Sequence, residues 1–364
     1  MSEQTKRYDY IDAAKGIGMF AIIWGHICTF GFSYDFVYAF HIPLFFFLSG
    51  LTFKRTKFPT FSSFALHRAK TLLLPYVMFS VLTWAIWATY NIILHHHVDF
   101  WWPLFQTLVA QGSGTFLVHN TALWFLPCLF AIEVIYYFID KLPTLLNVLI
   151  CIICAFLGVW MINGAYSHIL KLLPWSLESA FAALIFYCIG NTLTKYYTFT
   201  QIEENVVSRK WISVATILIM TPILAVSSYW NGHMSLGSDV LGNSPVLSYF
   251  NAFIGITIIF LSSILLCNIN RSNIYIWFKW IINFLLFFGK NSLNIMATHN
   301  PIKGIIFVAL AGILHKSVFF AENNYACCVL VFITTCMICS ILAVFINKQK
   351  QIDHQCIEKW KNKK

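Results

Sequence analysis

The chain has 364 residues, of which 59% are hydrophobic and only 10% are charged, and its mean hydropathy is +0.71. A water-soluble domain normally carries about a quarter charged residues, so this composition excludes a typical soluble enzyme and indicates that lipid surrounds the chain. The net charge of +10 does not indicate a nucleic-acid partner, because the Lys and Arg residues fall in short clusters between apolar runs rather than in one basic stripe.

Apolar stretches long enough to cross a bilayer recur along the whole chain. A spanning helix needs about 20 mostly apolar residues. We predict spans at 14–32, 36–53, 71–94, 121–139, 143–163, 176–194, 209–228, 247–268, 291–313 and 326–347. The predicted fold class is therefore all-α: a polytopic integral membrane helical bundle of about ten transmembrane helices. Residues 1–364 form a single membrane domain in this interpretation.

The segments between the spans differ in polarity. Residues 54–70 read as a basic interfacial segment, and residues 95–120 and 229–246 as outer loops. Residues 348–364 form a basic tail, which we place in the cytoplasm.

Basic residues set the predicted orientation. With the N-terminus inside, the positive-inside rule is satisfied at nearly all of the 24 Lys and Arg residues. The exceptions are Lys171, Lys303 and Lys316. An even number of spans then places both the N-terminus and the C-terminus in the cytoplasm.

No metal site is predicted. The run His95, His96 and His97 lies in a loop with only Asp99 nearby, which is a poor ligand set. The two Cys-x-x-Cys pairs lie in apolar spans without a neighbouring His, where thiols act as packing groups.

Polar residues within the first span indicate function, because an ionisable side chain in a bilayer is costly. Asp12, Lys15 and His26 can share one helical face, since Lys15 lies three positions after Asp12 and His26 lies eleven positions after Lys15. His41 follows a short outer turn and should lie at a depth similar to that of His26. A single His in a span is as often a packing residue as a functional one, but this combination favours proton-transfer chemistry.

Two later motifs carry further candidates. In GKNSLNIMATHNPI, Ser292 and His299 lie on one helical face and Pro301 can open the helix, although Ser and Asn would also suit an ordinary helix start. In the segment that starts at 119, Trp124 is a substrate-binding candidate or an interface anchor, and Glu133 is an intramembrane carboxylate that needs a partner.

Five motifs together resemble a known family. They are Lys15 with His26 eleven positions later, FHIPLFFFLSG (40–50), LLLPY (72–76), LWFLPCLF (123–130) and GKNSLNIMATHN (289–300). In this order they are similar to the acyltransferase-3 family of bacterial membrane O-acyltransferases, and especially to its fucose 4-O-acetylase-like branch. The resemblance covers nearly the whole chain.

The resemblance implies an O-acetyltransferase of the bacterial inner (cytoplasmic) membrane. It implies acetyl-CoA as the acyl donor, without a metal, and a sugar hydroxyl of a lipid-linked or surface glycan as acceptor. His26 then matches the essential histidine, as general base, and Lys15 its basic partner. Arg68 and Lys70 would hold the CoA phosphates; the family often has Arg-x-x-Arg here, whereas Thr71 is the third residue after Arg68.

Two other function classes account for part of the sequence pattern. A multi-span transporter or flippase for a glycan or lipid would also explain buried polar residues, but the paired repeats typical of transporters are not visible. A membrane scaffold or sensor would not require a Lys and His face reaching half across the bilayer. Consumption of acetyl-CoA in the presence of an acceptor distinguishes the enzyme from both.

Overall fold

The computed structural model describes residues 7–93, 95, 97–112, 116–164, 173–271 and 276–361, and most of them are helical. Within these residues, nine helices are long and apolar enough to cross a membrane. They coincide with nine of the ten predicted stretches, so the all-α polytopic bundle is confirmed. The helices are α1 (Asp9–Ile27), α2 (Phe32–Tyr38), α3 (His41–Thr52), α4 (Phe61–Arg68), α5 (Leu74–Ile93), α6 (Trp101–Val109), α7 (Phe125–Ile139), α8 (Thr144–Asn163), α9 (Leu177–Tyr196), α10 (Phe199–Ser208), α11 (Lys210–Asn231), α12 (Pro245–Arg271), α13 (Ile276–Lys290), α14 (Ser292–Leu314), α15 (Val318–Glu322) and α16 (Tyr325–Lys361).

The tenth predicted stretch, 14–32, corresponds to α1, which begins at Asp9 and ends at Ile27. Its charged residues leave α1 outside the group of nine apolar helices. Its 19 residues nevertheless extend for about 28 Å, close to the thickness of a hydrocarbon core. Helix α1 lies at the centre of the bundle, where it contacts α2, α3, α12, α13, α14 and α16. A polar helix is tolerated in this position because protein, rather than lipid, surrounds it.

Close helix packing depends on glycine where α3 crosses α9. A Cβ atom at Gly50 of α3 would overlap the backbone carbonyl of Tyr187 in α9. Reciprocally, a Cβ at Gly190 of α9 would overlap the carbonyl of Phe47 in α3. Membrane helices use small residues in this way, because close backbone approach supplies the packing energy that the hydrophobic effect cannot supply in lipid.

Helix α13 is an element that the sequence analysis did not predict. It packs along α1, and Gly289 near its end leaves room for the carbonyl of Asp12. At 15 residues it is shorter than a typical span, and its sequence includes Lys279 and Lys290. The apolar-run criterion therefore passed over it.

The segments between the spans contain regular structure. Residues 54–70 include a 3₁₀ turn and α4, and a π-helical turn at Ala69–Leu73 joins α4 to α5. Residues 95–120 include α6. Residues 229–246 include a small antiparallel hairpin of β1 (Met234–Ser235) and β2 (Val240–Leu241). The sides of the membrane on which these segments lie stay predictions.

The outside of the bundle is apolar. Large side chains are well exposed on three of the spanning helices: Phe156 on α8 is 72% exposed, Leu218 on α11 is 68% exposed and Phe345 on α16 is 66% exposed. Water would penalise such a surface, whereas lipid tails solvate it. Polar side chains inside the bundle include Asp12 on α1, which is 4% exposed, and His41 on α3, which is 2% exposed.

Candidate active site

A first cavity of about 150 Å³ lies beside the end of α1, under the β1–β2 hairpin. His26 from α1 and His41 from α3 line it together, with Tyr38 at the end of α2. The remaining lining residues are Ile42, Pro43, Gly112, Thr121, Trp124, Met234, Ser235, Leu236, Gly237 and Ser238. The cavity therefore gathers residues from distant parts of the chain around two imidazoles.

Three histidines cluster at this cavity. The ring centre of His299 lies 5.1 Å from that of His26. His299 is fully buried, and its Nδ1 donates to the carbonyl of Met296 at 2.8 Å. His41 is also buried, and its Nδ1 donates to the carbonyl of Val37 at 2.7 Å. A neutral imidazole with Nδ1 as donor has a free lone pair on Nε2, so both side chains can accept a proton there.

The proline in α14 ties a loop to the site. Pro301 has no backbone N–H, so it cannot donate to the carbonyl of Ala297 one turn earlier. The side-chain amide of Asn120 donates to that carbonyl instead, at 2.8 Å. Asn300 donates to the hydroxyl of Thr121 at 2.9 Å. The carbonyl that Pro301 leaves free, together with Asn300, thus anchors the segment that leads into α7 and includes the cavity-lining residues Thr121 and Trp124.

Trp124 is held between two glycines at the cavity wall. A Cβ at Gly112 would approach the Trp124 indole to 2.9 Å, and one at Gly237 would approach it to 2.6 Å. Any larger residue at either position would displace the ring. The indole is only 6% exposed, so its orientation is set by the protein.

A second cavity of about 280 Å³ adjoins the first and is mainly apolar. Its polar residues include Lys15, Ser49, Thr52, Arg68 and Ser292. Its apolar walls come from Met19, Ile22, Ile42, Phe45, Leu72, Phe125, Leu126, Leu129, Leu293 and Met296. A cavity of this kind suits an extended, weakly polar chain.

A third cavity of about 110 Å³ is basic. Lys54, Lys57, His67 and Arg68 line it, together with Glu133. Arg68 forms a two-pronged ion pair with Glu133, through Nε and Nη2. The Glu133 side chain is 1% exposed, whereas 26% of the Arg68 side chain stays exposed. The pair satisfies the buried carboxylate and leaves the remaining cations available to an anion.

The three cavities lie in series. The second and third share Arg68, Ser49 and Thr52, and the first and second share Ile42. Neighbouring cavities therefore adjoin, in the order of the basic cavity, the apolar cavity and the cavity that His26 lines. Lys15 and His26 lie about 16 Å apart along α1 and belong to successive cavities.

Most of the predicted site residues line these cavities or contact a residue that does, and two lie outside. Asp12 is paired with Arg7, with Nη2 at 3.0 Å from Oδ1, and this hydrogen bond raises the pKa of the Arg7 guanidinium. Asp12 thus belongs to the start of α1. Lys70 is exposed and is not among the residues that line the three cavities, although Arg68, two positions earlier, lines two of them.

Sequence reasoning missed several residues of the site. Tyr38, whose ring centre lies 4.6 Å from that of His41, carries no motif. The hairpin residues that cover the first cavity were placed only in an outer loop. The sequence analysis treated Lys303 only as an exception to the positive-inside rule. Its position four residues after His299 indicates that the two side chains lie on one face of a helix.

Comparison with known proteins gives a family for the chain. A family model described as an acyltransferase domain (Acyl_transf_3) matches residues 8–346. Neither the curated proteins nor the solved structures gave a match.

Proposed function

The chain belongs to the acyltransferase-3 family, and from this premise we propose that it moves an acetyl group from acetyl-CoA to a hydroxyl of a sugar acceptor. The observation that carries the proposal is the series of cavities that joins a basic entrance to a cluster of three histidines. An acyl transferase needs both ends: a place for an anionic donor and a base for the acceptor hydroxyl.

The donor enters from the basic end. The phosphates of CoA bind near Lys54, Lys57 and Arg68, where cations outnumber the one carboxylate. The pantetheine arm then extends past Lys15 through the apolar second cavity, which brings the thioester towards His26. Lys70, being exposed, contributes at most at the rim of this entrance.

His26 acts as the general base. It takes the proton of the acceptor hydroxyl while the hydroxyl oxygen forms a bond to the thioester carbonyl carbon. The carbon–sulfur bond then breaks, and the proton passes from His26 to the thiolate of the departing CoA. His299 lies beside His26, and His41 lines the same cavity. Because Nδ1 of each donates to a backbone carbonyl, each has an Nε2 lone pair that can accept a hydrogen bond or a proton during this step.

The acceptor sugar occupies the first cavity. Trp124 and Tyr38 supply aromatic surfaces, and the backbone of the hairpin at 234–238 supplies polar groups. A ring with both apolar faces and hydroxyl edges matches such a lining. We place the first cavity towards the outer side of a bacterial inner membrane, with both termini cytoplasmic, so that a lipid-linked or surface glycan can reach it.

The test measures acetyl groups on surface glycans by mass spectrometry in host cells that lack such a transferase. Cells carrying the unmodified chain should gain acetyl groups, whereas His26→Ala should lower the transfer rate by about 10²- to 10⁴-fold, the usual contribution of a general base. His97→Ala, which changes an exposed histidine that lines none of the three cavities, serves as the matched control. Equal acetylation with and without the unmodified chain would refute the proposal.

A further inference from the structure

Lys303 contacts the backbone of His26 but has no role in the proton transfer proposed above. Its Nζ donates to the backbone carbonyl of His26 at 2.5 Å, across 277 positions of the chain. Lys303 belongs to α14 and follows His299 by four residues, so both side chains lie on one face of that helix. One helix thus carries both the imidazole next to His26 and the ammonium bound to the His26 backbone.

The contact lies where α1 needs a donor. His26 is in the last turn of α1, which ends at Ile27, and the last four carbonyls of a helix have no partner within the helix. A cation near these carbonyls is favoured, because the C-terminal end of a helix carries partial negative charge. In the apolar interior of a bundle, a charged donor satisfies such a carbonyl more strongly than a neutral donor does.

We propose that Lys303 is a positioning residue for the general base: by capping α1 at His26, it fixes the position of that imidazole relative to His299 and the first cavity. This inference rests on the proposed acyl transfer. Lys303 acts through the His26 backbone, since it is not among the residues that line the first cavity. It therefore affects the reaction by geometry and not by contact with the acceptor.

The geometry explains why position matters. A shift of about 1 Å in a reacting group can lower a rate by about 100-fold, because the near-attack arrangement is lost. Without the ammonium, the end of α1 has an unpaired carbonyl and can fray, and His26 moves with it. The binding of acetyl-CoA at the basic end of the cavities, more than two turns of α1 away, should not change.

The experiment compares Lys303→Met, Lys303→Arg and the unmodified chain in membranes of host cells, with labelled acetyl-CoA at varied concentration. Lys303→Met should lower kcat by about 10- to 100-fold with little change in KM for acetyl-CoA. Lys303→Arg, which keeps a charged donor, should recover most of kcat. Lys316→Met is the matched control. Lys316 follows the C-terminal end of α14 by two residues, is exposed, and contacts the Phe320 ring.

A second readout does not depend on turnover. Hydrogen–deuterium exchange of the backbone amides from 24 to 31 should become faster in Lys303→Met and stay unchanged in Lys316→Met. Unmodified kcat and unmodified exchange in Lys303→Met would overturn the inference. The inference would also be overturned if kcat of Lys303→Arg were as low as that of Lys303→Met, or if Lys303→Met changed KM for acetyl-CoA without changing kcat. If the unmodified chain transfers no acetyl group but exchange responds as expected, the proposed function fails while the capping role stands.

Discussion

The buried ion pair between Arg68 and Glu133 offers a direct test of how the basic entrance is built. Arg68→Met leaves the Glu133 carboxylate, which is 1% exposed, without its partner. Removing one member of a buried pair costs about 3–5 kcal/mol, because the remaining charge is neither hydrated nor paired. We therefore expect Arg68→Met to lower the apparent unfolding temperature strongly in detergent or nanodiscs.

The double variant Arg68→Met/Glu133→Gln separates stability from function. Because it removes the unpaired charge, it should recover most of the lost thermal stability. It should not recover donor binding, since the cation at the junction of the second and third cavities is still missing. The assay pairs a thermal unfolding curve with KM for acetyl-CoA. A double variant as unstable as Arg68→Met, or a single variant as stable as the unmodified chain, would refute this reasoning.

Three further predictions concern packing, pH and the acceptor. Gly190→Ala should destabilise the bundle by about 1–3 kcal/mol, seen in thermal unfolding, because its Cβ overlaps the Phe47 carbonyl. Burial lowers the pKa of His119 from 6.5 to about 4, so unfolded chains bind more protons between these values and stability falls as the pH drops. Between pH 7 and pH 4, the free energy of unfolding of the His119→Leu variant should therefore fall by about 3 kcal/mol less than that of the unmodified chain. The measurement compares the unfolding free energies of the two proteins as a function of pH. Gly237→Ala should raise KM for the acceptor by displacing Trp124 while KM for acetyl-CoA stays unchanged, and an unchanged acceptor KM would contradict the role of the indole.

The sequence was sufficient for the architecture because lipid imposes a simple rule. Each span needs a long apolar run, and such runs are visible without any knowledge of contacts. The polar residues of α1 were visible for the same reason, since an ionisable side chain in a span requires an explanation. Helix α13 was missed because it is short and amphipathic, and its place beside α1 depends on the close contact at Gly289.

The sequence alone predicts the helical membrane fold, the helical face that carries Lys15 and His26 and, through five motifs, membership of an acyltransferase family. The tertiary structure adds contacts to His26 from a distant helix. His299 and Lys303 come from α14, far along the chain from His26. The sequence predicted the hairpin segment only as an outer loop and did not indicate that it covers the cavity. The physical reason is that periodicity fixes which face of a helix is polar, whereas the partner of that face depends on how separate helices pack.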